Sequence, residues 1–93
     1  MRMAIDEGRA ADLPFGAVIV HAGGVIARGG NHGRSQRDPT AHGEMVAIRN
    51  AVDYPGADAL KGATLYTTGE PCPMCMGAIV WCGISRVVYA ASI

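Results

Sequence analysis

Four side chains in two short segments of this sequence could share one reaction centre. His42-Gly43-Glu44 precedes one apolar stretch, and Pro71-Cys72-Pro73-Met74-Cys75 opens another. Residues three apart share a helix face, so Cys72 and Cys75 can grip a single ion. Their thiolates would sit in a first helical turn, where free amides and the helix dipole favour negative charge. Adding His42 gives a nitrogen–sulfur–sulfur set soft enough for zinc, one ion per chain. Three protein ligands leave the fourth tetrahedral position to water, as in catalytic rather than closed structural zinc sites. A metal so placed lowers the pKa of its water towards ~7.

Glu44 stands two residues after His42, which on a regular helix points it to nearly the opposite side. It is therefore expected as a proton shuttle between water and leaving group, and not as a second ligand beside His42. Taken singly, each feature has an ordinary explanation. A Cys-x-x-Cys pair serves structural metal sites and redox centres equally well. A His before a helix is often a cap or a surface residue, and Glu44 alone would be a common first-turn acid. A thioredoxin-like redox pair, however, has no need of His42-Gly43-Glu44.

These residues need elements to position them. Residues 1–11 read as a short helix that Leu13-Pro14 ends. Residues 15–20 form a nearly continuous apolar run with β-branched side chains, a buried strand. Ala22-Gly23-Gly24 is a turn, and 25–28 return as a second strand of a hairpin. The polar, Gly-rich stretch 29–39 is a loop. With Thr40 as N-cap, 40–53 read as a mostly buried helix stopped by Tyr54-Pro55-Gly56. Strands are expected over 63–68 and 86–91. Between them, a helix over 72–82 is led in by Pro71 and ended by Gly83. The order α-β-β-α-β-α-β implies an α/β sandwich with a mixed sheet. Both internal helices begin after strand ends, where α/β folds tend to place their chemistry.

The composition bounds the function. Ninety-three residues make one small domain, here 1–93, and 49% of them are apolar, which excludes disorder. Eight Lys and Arg balance eight Asp and Glu. That neutrality, with Arg34, Arg37 and Arg49 scattered, argues against long nucleic acids as partners. No apolar run reaches membrane-spanning length. The start carries Asp6, Glu7 and Asp12, unlike a signal peptide. Three cysteines are a poor disulfide framework, so a reducing, cytoplasmic setting is expected.

The segments around these residues resemble the cytidine deaminase-like superfamily, in the branch holding guanine deaminases, fungal-type cytosine deaminases and tRNA adenosine deaminases. H-x-E…P-C-x-x-C is the signature of zinc deaminases. Residues 14–20 are similar to that family's first strand, 38–44 to its first zinc segment and 65–79 to its second. The likeness implies a three-layer α/β/α sandwich with sheet order 2-1-3-4. It also implies zinc on His42, Cys72 and Cys75, with Glu44 moving protons. It further places Asn31, at the end of the second strand, against the base or sugar. By the same likeness, the Glu70 carbonyl is expected to receive the leaving amine, the Cys72 amide to hold the attacking water, and Trp81 to line a purine pocket. Turn formation is the other reading of Asn31, and core packing that of Trp81. Phe15 belongs to the core or to the pocket wall. His21 and His32 have no motif support, and Cys82 reads as a small buried residue.

Two features depart from the family pattern. Gly43 stands where Ala is usual, and it frees the backbone beside the base. The chain also stops at Ile93, where relatives continue with about another helix and strand. The last strand is then expected as an open edge, or one completed by another chain. The apolar composition and that edge imply a homodimer or larger assembly through the 72–82 helix, where Met74, Met76, Ile79, Val80 and Trp81 surround most of the axis. The expected activity is hydrolytic deamination of a small-molecule nucleobase or nucleoside. Guanine to xanthine plus ammonia is favoured, within a likeness closest to bacterial guanine deaminases. Cytosine or tRNA adenosine deamination is the alternative. A non-catalytic binding subunit with structural zinc is the third reading.

Overall fold

The β-branched run Val18-Ile19-Val20 lies in an inner strand, as its continuous apolarity requires. A computed structural model describes residues 1–9, 13–32 and 37–91. Its elements are α1 (Arg2–Arg9), β1 (Leu13–His21), β2 (Gly24–Asn31) and α2 (Gly43–Asp53). A 3-10 turn (Ala57–Leu60), β3 (Thr64–Gly69), α3 (Pro73–Trp81) and β4 (Arg86–Ala91) follow. The end expected for the first helix, at Ala11, lies outside the described residues. The sheet order is β2-β1-β3-β4. β1 pairs antiparallel with β2 and with β3, and β3 pairs parallel with β4. This is the mixed sheet expected, with α3 as the connection between its parallel pair.

Alternation along the strands assigns the two faces. Ala17 and Ile19 of β1, Ala27 of β2 and Leu65 of β3 form one core with Ala47, Ile48 and Ala51 of α2. Ile79 of α3, Leu60 and Ile84 close that core. Val18 faces the other way and is also buried, on the side where α1 crosses β1, β2 and β3. Helices therefore cover both faces. No helix of the described residues is long and apolar enough to cross a membrane.

The structure corrects three local readings. The α2 N-cap is His42 and not Thr40. The Thr40 hydroxyl is engaged elsewhere, donating to Asp38 Oδ1 at 2.6 Å. β2 runs three residues past Arg28, to Asn31. A 3-10 turn that no periodicity signals buries Leu60.

The extension of β2 has a steric cause. Gly29 lies so close to the start of α2 that an added Cβ would stand 2.6 Å from the Gly43 carbonyl oxygen and against the Ala47 nitrogen. Both are backbone atoms, which cannot swing aside. Strand and helix can meet here only because the residue has no side chain. Gly29→Ala is expected to destabilise the fold by at least about 1–3 kcal/mol, the scale of overpacking. Thermal melting should then fall by at least ~5 °C. An unchanged melting temperature would contradict this contact.

Candidate active site

Helices α2 and α3 begin in the same way. Their N-cap residues, His42 and Cys72, are both extended, with φ −69°, ψ 157° and φ −70°, ψ 169°. Neither side chain caps its own helix. Both are free to turn towards each other. Cys72 Sγ lies 3.6 Å and Cys75 Sγ 3.7 Å from His42 Nδ1. All three donor atoms fall within 4.8 Å of one another. With zinc–sulfur bonds of about 2.3 Å and zinc–nitrogen bonds of about 2.0–2.1 Å, neighbouring tetrahedral ligands stand ~3.6 Å apart. The donor set therefore fits zinc, and the ring nitrogen facing both sulfurs is Nδ1. The cysteines are free thiols, so no disulfide competes for the pair. Cys82 packs against the core, away from this group.

The approach to His42 is clamped. The Thr40 amide donates to Asp38 Oδ1 at 2.9 Å. Arg49, farther along α2, donates to Asp38 Oδ2 at 3.1 Å and to Thr40 Oγ1 at 2.8 Å. The Ala41 carbonyl accepts from the His32 amide at 2.9 Å, which ties the loop to the end of β2. The Thr40 hydroxyl and amide, then Arg49, hold the Asp38 carboxyl below its ordinary range. A depressed folded-state value means that this clamp contributes above the ordinary carboxylate range. The contribution is lost as pH falls through the depressed value.

A cavity of about 260 Å³ opens at these helix starts. His42, Glu44, Cys72, Asn31 and Glu70 line it, and Gly43, Thr67 and Gly69 complete the wall. Its size lies just under the ~300–1,000 Å³ of common small-molecule pockets, suited to a compact ring system. Glu44, in the first turn of α2, is only 7% exposed. It stands outside the three-donor group, as its two-residue offset from His42 requires. Burial pushes the Cys75 thiol far above its ordinary range, and the Glu44 charge and then Cys72 push it further. A cation held by these donors would displace the thiol protons.

Asn31 and Glu70 thus reach the cavity with Glu44 and two of the three metal donors, His42 and Cys72. Trp81 does not, and the purine-pocket expectation for it is corrected. It ends α3 and is 91% exposed, so it belongs neither to the cavity nor to the core. Nine residues at ~1.5 Å each carry it roughly 13 Å along the helix axis from Cys72. The Phe15 side chain lies outside the described residues. The sequence reading missed Thr67, whose signal was its phase: it follows Leu65 by two residues on one strand face.

Fold and donor set together define a zinc-binding α/β/α unit. The chain belongs to the cytidine and deoxycytidylate deaminase zinc-binding family, whose model matches residues 1–91. It is 54% identical over 78 positions to the guanine deaminase of Bacillus subtilis, covering 84% of this chain and 50% of that protein. It is 46% identical over 95 positions to a tRNA-specific adenosine deaminase of Agrobacterium fabrum, covering 98% of this chain and 62% of that protein. The chain thus spans about half to three fifths of these relatives' lengths. A structure from studies of A-to-I editing by tRNA:A34 deaminases superposes with a TM-score of 0.94 at 45% identity. That match covers 100% of this chain and 75% of the other.

The donor set has a direct test by elemental analysis. Cys75→Ala is expected to lose its zinc and to melt at lower temperature, because site binding is coupled to folding. Cys82→Ala is expected to keep its zinc. Full zinc retention in Cys75→Ala would exclude this donor set.

Proposed function

We propose that residues 1–93 act as one deaminase unit that hydrolyses guanine to xanthine and ammonia. The observation that carries the reading is Glu44, a buried carboxylate lining the same cavity as two of the three zinc donors. Folding alone requires no acid there, and burying one has a cost. His42, Cys72 and Cys75 hold the metal, which when bound supplies the Lewis acidity that acidifies a water. Glu44 takes a proton from water as its oxygen adds to the carbon bearing the amine. It then gives that proton to the departing nitrogen as the carbon–nitrogen bond breaks. The Glu70 carbonyl accepts from the leaving amine, and the Cys72 amide orients the water. The Asn31 carboxamide can donate and accept on the edge of the ring. Amine and water become carbonyl and ammonia, with no other reactant.

Guanine is favoured by the 54% identity to a guanine deaminase and by a cavity sized for a free base. A second reading, adenosine within tRNA, is favoured by the TM-score of 0.94 and by 46% identity across nearly the whole chain. Net neutrality does not exclude it, because net charge says nothing of where charges sit. Ammonia release from zinc-loaded protein separates the readings, with guanine, adenine, cytosine, their nucleosides and a tRNA anticodon hairpin as substrates. Release from guanine is expected. Glu44→Gln should keep its zinc while turnover drops at least ~10²-fold. Turnover confined to the hairpin would replace guanine with tRNA adenosine, and turnover confined to cytosine would replace it with cytosine. Silence on every substrate would overturn the deaminase reading.

Self-association is the second part of the proposal. α3 exposes Met74, Met76, Val80 and Trp81, and Tyr89 of β4 is exposed as well. Surface of this kind favours an apolar partner, and a second copy of the chain supplies one. Sedimentation at tens of micromolar should give a dimer or larger species, and a monomer would refute this.

A further inference from the structure

The cavity wall contains a polar side chain, Thr67, whose hydroxyl neither the metal site nor the proposed proton transfer uses. Thr67 lies on β3, an inner strand paired with Ala17 of β1 and Tyr89 of β4. It is 1% exposed and lines the cavity. Its neighbour Thr68 is accounted for, since its hydroxyl accepts from the Gly16 amide at 3.2 Å. The Thr67 hydroxyl enters no hydrogen bond with another residue among those described. Yet no buried side-chain nitrogen or oxygen of the described residues lacks a partner. The hydroxyl is therefore reached from the cavity itself. The position continues the apolar face of Leu65, where Val would pack equally well. A hydroxyl that opens into the cavity and holds no protein partner is available to a ligand there.

We infer that Thr67 is a specificity-determining residue whose hydroxyl bonds a ring nitrogen or carbonyl of the bound base. This rests on the deaminase reading of the same site. A hydroxyl can donate or accept, so it suits the polar edge of a heterocycle. It distinguishes bases because a ring lacking the matching group leaves the hydroxyl unpaired. Thr67 takes no part in the proton transfer, so its effect falls on affinity.

The test uses zinc-loaded Glu44→Gln protein, which binds a base without consuming it, and equilibrium dialysis with guanine, adenine and cytosine. Adding Thr67→Val is expected to weaken binding of the preferred base about tenfold to a hundredfold. Zinc content should stay the same, and the melting temperature should be unchanged or higher. Thr67→Ser, which restores the hydroxyl, should bind within about threefold of the Glu44→Gln parent. Unchanged affinity in Thr67→Val, equal loss in both variants, loss of zinc, or no base bound by the parent would each overturn the inference. Ammonia release by the chain with Glu44 intact is read separately. Thr67-dependent binding without ammonia would remove the deaminase reading and leave the role of Thr67 standing.

Discussion

Two helices in this protein must begin within about one tetrahedral edge of each other, and the rest of the site depends on that constraint. Helix starts carry unpaired amides and partial positive charge, so two brought together repel. Anionic groups at the junction relieve the repulsion. Cys72 and Cys75 supply sulfur from α3, and Glu44 supplies a carboxylate from α2. The N-cap side chains His42 and Cys72 do not satisfy their own helices, which leaves them available to the common centre. Sheet order then sets where each helix can start. Gly29 lets β2 lie directly against the first turns of α2, while Cys72-Pro73 begins α3 beyond β3.

The donor atoms at the junction suit a cation. Cys75 is fully buried, and its thiol is held protonated by that burial and by the nearby Glu44 charge. A zinc ion held by His42, Cys72 and Cys75 would replace the thiol protons and compensate the carboxylate. Metal binding is thus coupled to the meeting of the α2 and α3 starts. The Asp38–Thr40–Arg49 clamp acts at the edge of this event, holding the loop that delivers His42 to the sulfurs.

Much of this was legible in the sequence because it depends on short spacings. His42, Cys72 and Cys75 announced a donor set through residue type and the three-residue step. The offset of Glu44 from His42 is the reason it is read as a proton shuttle and not as a further donor. The strands over 15–20 and 86–91 were legible from β-branched apolar runs. The α2 N-cap was not, because the Thr40 hydroxyl found Asp38 instead of the helix amides. Trp81 was misplaced because its type suggests stacking, while nine residues of helix carry it from the cavity to an exposed end. Thr67 was hidden for the opposite reason. A Thr in a strand looks like ordinary β-propensity, and only the phase set by Leu65 and the position of α2 turn it towards the site.

The central claim is that one nitrogen and two sulfurs from two helix starts form the metal site. X-ray absorption at the zinc edge of the loaded protein measures this directly. The account predicts two sulfur scatterers at about 2.3 Å and two lighter ones at about 2.0–2.1 Å. Four sulfurs, or a shell of light atoms with no sulfur, would contradict it.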